Sequence, residues 1–107
     1  MVKDLLDQTL DPIGIPYYYF ERPVDIYPCI VITYNEYTNT SGDNTEESRK
    51  YDIYLNLITK DQIRVHSEAV KAAMAAKFSK VIVNSPVKLD GTDYYQITMN
   101  YVISLSN

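Results

Sequence analysis

DYYQITMNYVISL, residues 93–105, carries the clearest pattern in the chain. Tyr95, Ile97, Met99, Tyr101, Ile103 and Leu105 fall on one side of a period-two pattern. Gln96, Thr98, Asn100 and Ser104 fall on the other. Successive side chains of a strand point to opposite faces, so this segment reads as a strand with one face in a core and one polar face. An antiparallel sheet covered on one side has that signature. The rest of the chain is read outward from this strand.

Residues 50–58 alternate in the same way, with Tyr51, Ile53, Leu55 and Leu57 against Asp52, Tyr54, Asn56 and Ile58. Residues 29–37, CIVITYNEY, form another strand, with Ile30, Ile32 and Tyr34 sharing a face. Between them lies TNTSGDNTEES, residues 38–48, polar and turn-prone. It cannot bury surface, so it reads as a mobile loop joining a long hairpin. Residues 16–21 read as a short strand between Pro16 and Pro23, confined to a sheet edge because proline lacks a ladder donor. Val81–Val83 is a further short apolar run, and Asp90-Gly91 is a turn signal.

Two segments read as helices. In residues 2–10, Val2, Leu5, Leu6 and Leu10 fall near one face, and Asp11-Pro12-Ile13-Gly14 stops the helix. The second follows Thr59-Lys60-Asp61-Gln62, which fits a capping box with Thr59 as N-cap, and runs to about Phe78. Ile63, Val70, Met74 and Phe78 form its large apolar stripe, and Val65, Ala69, Ala72 and Ala76 a smaller one. The expected fold is α+β: an antiparallel sheet of about four strands with two helices packed on one face. Its 107 residues make a single domain, 1–107.

Composition narrows the function. The apolar share of 46% and charged share of 22% are those of a globular protein rather than a disordered one. A net charge of −4 with scattered basic residues argues against a nucleic-acid surface. The segment MVKDLLDQTL lacks the apolar core of a signal peptide, and no run approaches a membrane span. One cysteine, Cys29, and one histidine, His66, supply neither a disulfide nor a metal-ligand spacing, and no nucleophile is assigned to His66. The three glycines sit at turns and none belongs to a phosphate-binding loop. No catalytic residue, cofactor or metal is assigned, and the chain is not expected to be an enzyme.

What remains is tyrosine: eleven, against two phenylalanines and no tryptophan. In IPYYYFERP, residues 15–23, alternation turns Tyr17 and Tyr19 one way and Tyr18 and Phe20 the other. One pair can close the core; the other is left for cross-strand packing or for a neighbour. Tyr54 on the outer face raises the same choice. Asp43, Glu46 and Glu47 in the polar loop are either a solvated acidic surface or a contact to a basic partner. Tyr18, Phe20, Tyr54, Asp43, Glu46 and Glu47 are therefore the candidate subunit or partner contacts.

These strings, in this order, resemble the tail-terminator or tail-completion proteins of long-tailed bacteriophages, a family that joins tail to head. The resemblance rests on a P-Y-Y segment at Pro16–Phe20, a P-x-I-V strand at Pro28–Val31, and a strand-to-helix junction ending in T-K-D at Ile53–Asp61. It implies a sheet covered by helices and no catalytic residues. It also implies a ring, commonly a hexamer when assembled from a chain that can be a monomer alone, that caps the tail tube and docks to a head connector or head-completion protein. Its place would be the virion head–tail interface, after assembly in the host cytoplasm, with neither a membrane nor a sequence-specific nucleic acid as partner. An acidic ring would let DNA pass without trapping phosphates if its acids line the lumen. A small bacterial ligand-binding or regulatory module is the other reading of the sequence.

Overall fold

A computed structural model describes residues 2–22, 26–39 and 48–106. The elements in chain order are helix α1 (Val2–Leu10), a 3₁₀ turn (Asp11–Ile13), strands β1 (Tyr17–Tyr19), β2 (Cys29–Asn39) and β3 (Ser48–Thr59), helix α2 (Ile63–Ala75), and strands β4 (Ser79–Val83), β5 (Val87–Lys88) and β6 (Tyr95–Ser106). The α+β class stands, but the sheet has six strands, not four, in the order β1-β2-β3-β6-β4, with β5 also on β6. It is not purely antiparallel either: β1 runs parallel to β2, with Tyr17 opposite Ile30 and Tyr19 opposite Ile32. A parallel partner ordinarily requires a long crossover. Here β1 is three residues long, so the chain need travel back only about 10 Å before β2 begins.

The alternation predicts the rest of the sheet. Ile30 and Ile32 of β2, Tyr51, Ile53, Leu55 and Leu57 of β3, and Ile97, Met99 and Tyr101 of β6 share one buried face. Across that face lie Val2, Leu6 and Leu10 of α1 and Val70 and Met74 of α2. A helix of nine residues has little stability alone, so α1 exists because this apolar face holds it.

Helix α2 departs from the expected capping box. Gln62 is the N-cap, at φ +51° and without a side-chain cap. Thr59 instead ends β3, buried, and its Oγ1 donates to the Asp61 carbonyl at 2.7 Å. The sheet keeps Thr59 because its backbone pairs with Tyr95. The helix also stops at Ala75 rather than Phe78, so Lys77 lies beyond it; Phe78 remains buried as the chain turns into β4. The small stripe of Val65, Ala69, Ala72 and Ala76 is exposed.

Strand β4, the short region 84–86 and β5 run successively along one side of β6, which returns through the Asp90-Gly91 turn, where Gly91 adopts φ +72°. The turn thus lies where the dipeptide predicts it. Leu55→Ala, at a fully buried position of the central strand, should cost about 3 kcal/mol in urea unfolding. Val65→Ser, on the exposed stripe of α2, should change it by less than about 0.5 kcal/mol.

Candidate interaction surfaces

The tyrosines of β1 are not loose aromatic surface. Tyr17 and Tyr19 point toward the helices, as alternation allows, and pack against the core. The Tyr19 hydroxyl donates to Asp7 Oδ1 at 2.7 Å and lies 3.2 Å from the Lys3 carbonyl oxygen. The Tyr17 hydroxyl donates to Asp11. Lys3 pairs with Asp7 at 3.2 Å and lies 4.9 Å from the centre of the Tyr19 ring. Positions 3 and 7 are one helical turn apart, so α1 presents both to the sheet edge.

The rings continue inward as a series of edge contacts. Tyr17 meets Tyr19 at 6.0 Å, Tyr19 meets Tyr34 at 6.4 Å, and Tyr34 meets Tyr51 at 6.3 Å between ring centres. At the inner end the Tyr51 hydroxyl donates to Glu36 Oε1 at 2.5 Å, and Arg49 holds Glu36 Oε2 at 3.0 Å. The seam therefore ends in a carboxylate on each side.

This arrangement fixes the protonation of the seam. Burial first, then the bonds to carboxylates, push the Tyr17 and Tyr19 phenols well above their ordinary value near 10. Tyr51 rises chiefly through its bond to Glu36. The Tyr19 bond holds Asp7 below the usual carboxylate range, and the Tyr51 bond does the same for Glu36. A phenol that resists ionisation is a hydrogen-bond donor, and is poorly suited to act as a base or nucleophile.

Of the residues singled out from sequence, Tyr18 and Tyr54 lie half-buried on the face opposite the helices. Tyr18 sits opposite Val31, and Tyr54 pairs with Thr33 and Asn100. Strand β2 lies between them, which sets them about 10 Å apart across the sheet. Around Tyr54 this face is polar: Gln96 and Thr98 donate to Asn56 at 3.2 and 2.8 Å, and Asn100 Nδ2 donates to the Ile53 carbonyl at 3.0 Å. Tyr94 stacks on Tyr27 with ring centres 3.8 Å apart.

Phe20 does not share the face of Tyr18. Its φ of +63° breaks the alternation just after β1, and its ring lies 5.1 Å from that of Tyr34, on the helix side. It is nevertheless 57% exposed. An L-residue at positive φ costs about 1–2 kcal/mol, and nothing in the sequence around Phe20 announces it. Asp43, Glu46 and Glu47 lie outside the described residues, as does most of the 38–48 loop.

Cys29 is buried, and burial pushes its thiol up, away from the reactive thiolate. His66 is half-buried on α2. Among the described residues no three His, Cys, Asp or Glu side chains gather as a metal site. Among the described residues no helix is long and apolar enough to cross a membrane.

Concavities lined by described residues include two. One, about 450 Å³, is the inner curve of the turn Lys88–Asp93, built from that single segment. The other, about 340 Å³, opens between α2 and β4 and is lined by Lys71, Ala75, Phe78, Lys80 and Tyr101. Sequence reasoning missed this cleft; the clustering of lysine after residue 70, with Phe78 between Lys77 and Lys80, is the signal that marks it.

No protein-family model and no curated protein matches the chain. A chain in the solved structure of the virion of a native gene transfer agent particle does match in fold. The TM-score is 0.57 over 92% of this chain and 84% of that one, at 12% identity. At that identity the likeness establishes a shared fold.

The seam also sets a dependence on pH. Asp7 and Glu36 have lowered values in the folded state, so their contribution is present above about pH 4 and lost as pH falls through the folded values. The tyrosines have raised values, so theirs is present below about pH 10 and lost as pH rises beyond it. Stability measured by urea unfolding should be level between about pH 5 and 9 and fall on both sides. Tyr19→Phe should cost about 1 kcal/mol at pH 7 and make the alkaline fall shallower; an unchanged alkaline limb would remove Tyr19 from the account.

Proposed function

We propose that this chain is a structural protein of a phage-like virion, acting by assembly rather than catalysis. The observation that carries the proposal is the fold shared with a gene transfer agent virion chain over nearly the whole of both chains. Within that class, the resemblance of Pro16–Phe20, Pro28–Val31 and Ile53–Asp61 to tail terminators favours a protein that caps the tail tube and joins it to the head connector or head-completion protein. It would act as a ring, a hexamer in the commonest arrangement, at the head–tail interface.

The site chemistry supports a mechanical role. The tyrosine seam is locked to carboxylates at both ends, and its phenols are held protonated. It ties α1 to the sheet edge and makes a rigid flank, which suits a part that must fit between neighbours. Among the described residues no helix covers the outer face at Tyr18 and Tyr54, and that face is the surface available to a tube or connector.

The alternative, a small ligand-binding module, has the cleft between α2 and β4 in its favour. Its volume stands at the low end for ligand sites, and it is an open cleft, whereas ligand sites enclose most of their occupant.

The test is electron microscopy of particles produced with and without the gene. The proposal expects unjoined heads and tails, or tails of uncontrolled length, when the protein is missing. Normal, fully joined particles would contradict it and move the ligand-binding reading ahead.

A further inference from the structure

The proposed ring requires that two unlike surfaces of one copy fit each other, and the two edges of the sheet carry such a pair. At the β1 edge, Phe20 is held outward at φ +63° and is 57% exposed, on the helix side of the sheet beside Tyr34. At the opposite edge, the cleft of about 340 Å³ between α2 and β4 has Ala75, Phe78 and Tyr101 as its apolar lining, with Lys71 and Lys80 beside them. Tyr34 and Tyr101 both belong to the helix-side face, so projection and cleft lie on the same side of the sheet. The strand order places them at its two ends.

Charge divides the same way. Residues 63–88 hold five cations, Arg64, Lys71, Lys77, Lys80 and Lys88, against one anion, Glu68, in a chain whose net charge is −4. Residues 2–22 hold two cations, Lys3 and Arg22, against four anions, Asp4, Asp7, Asp11 and Glu21. Glu21, next to Phe20, is exposed. Along the basic edge, Val81, Ile82 and Val87 are each more than half exposed. An exposed apolar edge strand is a template for another chain unless it is covered.

We infer that Phe20 of one copy enters the cleft of the next, with Glu21 meeting Lys80 beside it, while Lys71 stays paired with Glu68 at 2.9 Å. This rests on the ring reading above and names the contact that would build it. A contact between unlike patches is heterologous, so it repeats head to tail and closes into a ring when the rotation between copies permits. The unfavourable backbone of Phe20 then has a use: it turns an aromatic ring out of the core and toward a neighbour.

Sedimentation velocity across a concentration series tests this with the chain alone. The wild type should self-associate. Phe20→Gly, which suits the positive φ, should weaken association at least ~10-fold while its thermal midpoint shows that it still folds. Glu21→Lys and Lys80→Glu should each weaken it, and the double variant Glu21→Lys/Lys80→Glu should recover most of the loss. Association of Phe20→Gly equal to the wild type, or no recovery in the charge-swapped double variant, would overturn this contact and leave the ring reading intact. A wild type that stays monomeric at every concentration would also overturn it. The particle phenotype of the gene deletion judges the ring reading separately.

Discussion

Strand β3 is the constraint on which the rest depends. It is hydrogen-bonded along both edges, to β2 on one side and β6 on the other, and its Tyr51, Ile53, Leu55 and Leu57 side chains are almost wholly buried. A slip of one residue in either register would turn those four side chains to the polar face and bring Asp52, Tyr54 and Asn56 under the helices. Neither helix is long enough to hold itself, so both take their positions from this face. The tyrosine seam follows, because Tyr51 meets Tyr34 across the β2–β3 ladder and Tyr34 meets Tyr19 on β1.

The strands with long alternation were legible from their residues alone. Residues 29–37 and 50–58, and 93–105 from Tyr95 onward, are found as strands with the expected face buried, because a period of two admits one arrangement when a single face is covered. The departures come where local signals are short or are overruled. β1 alternates as read, but three residues leave its direction open, and β5, of two, shows no period, so the parallel pairing and the sixth strand were not visible. Thr59-Lys60-Asp61-Gln62 has the residues of a capping box, yet β6 pairs with Thr59 and draws it into the sheet.

The candidate site was half legible. Tyr18 and Tyr54 stand on the outer face as alternation requires, with β2 between them. Phe20 does not follow alternation, because a positive φ is a backbone property that no side-chain pattern encodes. The acidic ends of the seam, Asp7, Asp11 and Glu36, come from α1, the 3₁₀ turn and β2, and only the tertiary fold brings them to the tyrosines. The many tyrosines of the chain thus divide their work. Some lock α1 to the sheet edge; others, Tyr18 and Tyr54 among them, lie half-buried on the face opposite the helices.

We propose that this fold acts as an assembled part at the head–tail junction, and a cryo-electron microscopy map of the joined particle tests that proposal. The account predicts a closed ring of copies of this chain at the head-proximal end of the tail tube, with the outer sheet face or the sheet edges in contact with neighbours. Finding no copy of the chain in the particle, or finding isolated copies away from that junction, would contradict it.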